Sequence, residues 1–131
     1  MNLTQINPWD WQQGFGFSHG VSHEGAQRVL EVAGQCATGP DGAPQHKGNM
    51  RGQIEVCMAN IEAVLVQAGL GFANVVRIRV FTTNVGETLG NWDAVVGPLN
   101  AMGSRPASTL LGVTALFSPD LLVEIEVTAV G

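Results

Sequence analysis

Arg105-Pro-Ala-Ser-Thr-Leu-Leu-Gly-Val113, followed after a short polar break by Leu121-Leu-Val-Glu-Ile-Glu-Val-Thr-Ala-Val130, is the stretch on which the fold turns. Both runs are apolar and rich in β-branched residues, and Ser118-Pro119-Asp120 supplies turn chemistry between them. They read as two strands joined by a loop. An arginine stands at the mouth of the first strand, and Glu124 and Glu126 share one face of the second at period two. Acids placed among Val and Ile must be satisfied by solvent or by partners, which marks this face as the place to look for a site.

Working outward, the preceding segments supply a helix, a strand and a longer helix. Leu89, Trp92, Val96 and Leu99 recur at helical spacing up to Met102, behind a cap region at 84–87, with Gly97-Pro98 expected to weaken or kink the run. Val76, Ile78 and Val80 alternate with Arg77, Arg79 and Phe81, the pattern of a strand with one buried face. From Gly48, the residues Met50, Ile54, Cys57, Met58, Ile61, Val64, Leu65 and Ala68 form the stripe of an amphipathic helix of about five turns, stopped by Gly69 and Gly71.

Nearer the N-terminus, residues 34–44 are a loop dense in Gly and Pro. Residues 15–21 and 28–34 read as a strand hairpin around a polar turn at 22–26, and residues 1–13 as a short first strand turning at Asn7-Pro8. Trp9 and Trp11 read as packing or interface anchors. The order strand, strand, strand, helix, strand, helix, strand, strand describes an α+β layer fold. Its sheet has helices on one face only.

The totals narrow the function. The 131 residues fit one domain, 1–131, and the charged fraction of 13% is about half the usual share, so part of the surface is expected to be covered by self-association. With net charge −5 and a single lysine, Lys47, there is no basic stripe for nucleic acid. No apolar run reaches the roughly 18 residues that span a membrane. Cys36 and Cys57 lack CxxC spacing, there is no secretory leader pattern, and a cytoplasmic protein with free thiols is expected. Gly14-x-Gly16 lacks the third glycine of a dinucleotide fingerprint, and no Gly-Lys-Ser/Thr makes a phosphate loop, so no cofactor is expected. His19, His23 and His46 fall in or beside turns without metal-type spacing, and no metal is expected.

Several short motifs recur in order. Ala33-Gly34-Gln35 follows the third strand, and the first helix carries Gln53, Asn60-Ile61, Leu65 and Ala68-Gly69. Val75-Val76-Arg77 with Val80-Phe81, Asn91, Pro106-Ala107-Ser108-Thr109 and Val123-Glu124-Ile125-Glu126 complete the set. The chain resembles the RidA/YjgF family of small trimeric enamine/imine deaminases over nearly its whole length. The resemblance implies a chorismate-mutase-like protomer, with a mixed sheet of about six strands and two helices on one face. It also implies a homotrimer with small-molecule clefts between subunits.

In that family an arginine of a Pro-Ala-Arg-Ser motif grips the substrate carboxylate, while a backbone position near Ser-Gly and the first acid of Glu-Ile-Glu hold or activate a water. Here Phe17, Gly34, Asn91 and Glu124 match, whereas the arginine position is Ser108 and the usual serine is Ala33. A hydroxyl supplies no positive charge. Arg105 lies nearby, able either to reach a ligand carboxylate or to pair at the surface or with a neighbouring subunit. The expected function is hydrolysis of an imine, enamine or related metabolite other than a simple 2-imino acid. The alternative is a non-catalytic trimer that binds a metabolite.

Overall fold

Helix α1, Met50–Gln67, organises the core, and the computed structural model describes it with the whole of residues 1–131. Asn49 caps its start by accepting a hydrogen bond from Gly52 N–H at 2.9 Å. Met50, Ile54, Cys57, Met58, Ile61 and Leu65 of the anticipated stripe are buried, and each such aliphatic contributes about 1.5–3 kcal/mol relative to exposure. Gln53 is also fully buried, because its amide is saturated: it donates to the carbonyls of His46 and Asp120 and accepts from Leu122 N–H. It pins the helix to the chain entering the last strand.

The stripe packs on a four-stranded mixed sheet made of β3 (Val29–Cys36), β4 (Val75–Thr82), β5 (Ala107–Gly112) and β6 (Val123–Val130), in the order β3-β6-β4-β5. Strand β6 runs antiparallel to β3 and β4, and β4 pairs with β5 in parallel. Alternation decides the faces: Ile78, Val80, Val123, Ile125 and Val127 are buried against the helices, while Arg77, Arg79, Phe81, Glu124 and Glu126 lie half-buried on the other face. The sheet has one covered face, as its sequence pattern implied.

The expected α+β architecture is present with six strands, but they are divided. Strands β1 (Asn2–Ile6) and β2 (Gly20–Glu24) form a separate antiparallel ribbon. The anticipated hairpin between 15–21 and 28–34 is therefore corrected: β2 pairs with β1, and β3 pairs with β6. The N–H groups of Gln27 and Arg28 instead donate to the carbonyl of Gly131, which seats the start of β3 at the end of β6. Part of the reason is Gly16, whose φ of 72° interrupts any strand through Phe15 and Phe17. Residues Gln13–Phe15 form a 3-10 turn.

The second helical run is two helices, α2 (Val85–Leu89) and α3 (Trp92–Ala101), broken before Trp92. Pro98 lies inside α3 without ending it, so the break falls one turn and more ahead of the expected kink. Val95 and Leu99 of α3 are fully buried beside α1, and this packing offsets the hydrogen bond that the proline removes.

Candidate functional site: an aromatic cleft and a carboxylate on opposite faces

Helix α3 holds the segment before β2 by two side chains. Trp92 Nε1 donates to Phe15 O at 2.8 Å, and Asn100 Nδ2 donates to Gly16 O at 3.0 Å and Ser104 O at 2.9 Å. Gly16 must be small here, since a Cβ would run into Asn100 Oδ1 and Val96. Docked in this way, Trp11, Phe15 and Phe17 face Leu89, Trp92 and Leu110 across a cleft of about 200 Å³. Trp11 meets Phe17 edge to face, ring centres 5.9 Å apart, and meets Phe15 likewise at 6.5 Å. Ser108 is the one polar side chain of the lining, and no charged residue contributes to it.

Glu124 occupies the open face of the sheet. Its register partners are Cys36 on one side and Phe81 on the other. Cys36 donates its thiol proton to Glu124 Oε1 at 3.2 Å. Burial, then that hydrogen bond and the carboxylate's charge, push the Cys36 thiol up to about 12, so it stays a donor and is no nucleophile at neutral pH. Gly34 lies beneath the carboxylate at a register shift of β3 between Val32 and Gln35, where a Cβ would collide with Glu124 Oε2 and come within 2.7 Å of Cδ. The missing side chain gives the carboxylate its room.

Further along the same face, Arg79 pairs with Glu126 at 3.3 Å, Thr128 donates to Glu31 at 2.9 Å, and Arg77 donates to Thr109 Oγ1 at 2.7 Å. Burial and the neighbouring Arg79 lower the Arg77 guanidinium from its ordinary value.

The six residues singled out in the sequence thus separate into groups. Phe17 and Ser108 share the aromatic cleft, and Glu124 and Gly34 share the open face. Ser108 is the register partner of Ile78, which points at the helices, whereas Glu124 is the partner of Phe81, which points away from them. Within one protomer the hydroxyl and the carboxylate therefore lie on opposite faces. Arg105 does not stand beside Ser108: its Nη1 donates to Gln13 O at 3.2 Å, and it lines different clefts near the ribbon. Asn91 joins α2 to α3, donating to Glu87 O at 2.9 Å. Sequence reading placed Phe17 in the candidate site but took Trp92 for part of a helical stripe and Trp11 for an anchor, and did not single out Phe15. Two tryptophans at positions 9 and 11 in a chain with three were the available signal.

The family model described as Endoribonuclease L-PSP matches residues 13–131. The chain belongs to the RidA/YjgF family. It is similar to the RutC family protein slr0709 of Synechocystis, 33% identical over 106 residues that cover 80% of each chain. Among solved structures it is similar to the Rid family protein YyfB of Yersinia pestis, itself of unknown function, at 34% identity and TM-score 0.86, covering 100% of both chains. Rv2704 of Mycobacterium tuberculosis, a YjgF/YER057c/UK114 family member, matches at 27% identity and TM-score 0.68 over 99% of this chain and 100% of its own. Within this RidA/YjgF fold, the aromatic cleft at the edge of β5 carries Ser108. No helix is long and apolar enough to cross a membrane.

Proposed function

We propose that this chain adds water to the C=N bond of an imine, or of the imine tautomer of an enamine, whose carbon carries an apolar or aromatic group. The observation that supports this reading is the lining around Ser108, aromatic and leucine side chains with no cation. A buried guanidinium–carboxylate pair contributes about 1.5–3 kcal/mol, so its absence removes the main reason to prefer a small 2-imino carboxylate. The apolar walls favour a larger hydrocarbon substituent instead.

Glu124 is the general base. Water attacks the imine carbon as Oε2 takes its proton, and the π pair moves to nitrogen, which is protonated. The carbinolamine then expels ammonia as its C–O bond becomes a carbonyl. Imine and water give carbonyl and ammonia in balance. The Cys36 thiol engages Oε1 and leaves Oε2 for this work. Because Glu124 and Ser108 face opposite ways in one protomer, the site draws on two copies, and a homotrimer with inter-subunit clefts is the assembly that fits. Free Cys36 and Cys57 suit a reducing compartment such as the cytoplasm. Ribonuclease chemistry is not carried over from the family description, because the chain has net charge −5 and Arg79, one of its two neighbouring sheet-face arginines, is already paired with Glu126.

The test is turnover. Freshly generated 2-imino-3-phenylpropanoate should release phenylpyruvate faster with purified protein than in buffer, and Glu124→Gln should remove about a hundredfold or more of the acceleration. A rate equal to buffer, accompanied by ligand-dependent thermal stabilisation, would replace the enzyme with a binding protein.

A further inference from the structure

Helices α1 and α3 pack side by side, and a groove of about 190 Å³ lies between them. Ala59 of α1 and Ala94 of α3 face it with side chains too short to fill it. Met58 and Phe72 also line it and belong to the core, at 3% and 8% exposure, so the groove reaches down to apolar core atoms. Glu55 and Glu62, both exposed, form its rim. They stand two turns apart in α1, roughly 10 Å along one helix face, with Met58 and Ala59 between them.

The negative charge of this rim is largely uncompensated. The chain has net charge −5, and the one cation paired with either glutamate is Arg51. Its guanidinium is engaged elsewhere: Nη1 and Nη2 donate to the Asp93 carboxylate at 3.1 and 2.7 Å, while Nε stands 3.5 Å from Glu55 Oε1. Glu62 enters no ion pair. The groove therefore attracts positive charge at both ends of a floor that favours hydrocarbon.

We propose that this groove binds a linear polyamine, with an ammonium group at each glutamate and the methylene chain across Met58, Ala59 and Phe72. A metal ion would match the charge but not the apolar floor, and a fatty chain would match the floor but not the charge. The spacing selects an amine that spans two helical turns, as spermidine does and 1,4-diaminobutane does not. None of the groove residues lines the aromatic cleft, and the proposal does not rest on the hydrolysis described above.

The probe is spermidine, titrated into the full-length protein at low ionic strength while backbone amide and methionine methyl resonances are followed. Saturable shifts should centre on residues 55–62, Phe72 and Ala94, with cross-relaxation between spermidine methylenes and the Met58 methyl. 1,4-Diaminobutane, which cannot bridge the two acids, and magnesium, which has no hydrocarbon, should each bind about tenfold or more weaker. A Glu55→Gln, Glu62→Gln double variant should weaken spermidine binding about fivefold or more. Ala59→Arg, which keeps helix propensity and sets a cation between the two acids, should weaken it in the same direction. All three positions are exposed, so these variants leave the core intact. The proposal is overturned if no saturation occurs up to about 10 mM, if the shifts centre on Glu124 and Glu126, if magnesium or 1,4-diaminobutane matches spermidine, or if the variants bind as tightly as the parent. Tetralysine shifting these resonances where spermidine does not would assign the groove to a basic protein segment and overturn it equally.

Discussion

Gly34 and Cys36 show how two unremarkable residues set the position of one carboxylate. Gly34 leaves the volume that Glu124 fills, and Cys36 donates to one of its oxygens. Sequence reading placed Gly34 and Glu124 in the candidate site through the family pattern. The thiol contact was illegible, because it joins residues 88 positions apart through a register shift that no local pattern announces. The thiols make a prediction possible. Burial, first among its causes, raises Cys36 from near 9.0 to about 12, and Cys57 is raised in the same direction, also chiefly by burial. A group that holds its proton more tightly when folded stabilises the fold fully below its unfolded pKa, and that contribution fades as pH climbs toward the folded value. Stability should therefore fall between about pH 9 and 12. The chain has no tyrosine and a single lysine, Lys47, so few other groups titrate in this window. Urea unfolding across the range should show the loss, and a Cys36→Ala, Cys57→Ala double variant should show a much flatter profile. An equally steep profile in the double variant would contradict it.

Among the elements, the long helix and the central strands were legible because their contacts repeat at a fixed period. Ile54, Ile61 and Leu65 in α1, and Ile78 and Val80 in β4, are all buried where the pattern put them. The segment from Trp9 to His19 was not, because its rings satisfy one another and α3 rather than a ladder. Alternating Phe15 and Phe17 imitate a strand, yet what fixes them is Trp92 and Asn100, more than 70 residues away. Asn100→Ala should cost about 1–3 kcal/mol in denaturant unfolding by removing the donor to two carbonyls. It should also speed hydrogen exchange at Ser18, whose N–H bonds to Pro106 O beside the loosened segment. Unchanged stability together with unchanged exchange would show that Trp92 alone holds the segment.

For the whole molecule, Ser108 and Glu124 lie on opposite faces of the sheet, so the proposed site needs two copies of the chain. Phe117 at 70% exposure and Leu111 at 47% add uncovered apolar surface to a chain with few charges. Sedimentation at micromolar concentration should give three times the protomer mass of 13.8 kDa, and a monomer would remove the shared cleft. The composition pointed toward self-association and the family resemblance toward a trimer, but Ser108 is what points toward the substrate. The most direct measurement is kcat/KM for 2-imino-3-phenylpropanoate and 2-iminopropionate, followed in one preparation by keto-acid release. An aromatic cleft without a cation predicts a preference of about tenfold or more for the phenyl substrate, from burial of its ring. Equal values, or a preference for 2-iminopropionate, would contradict the account.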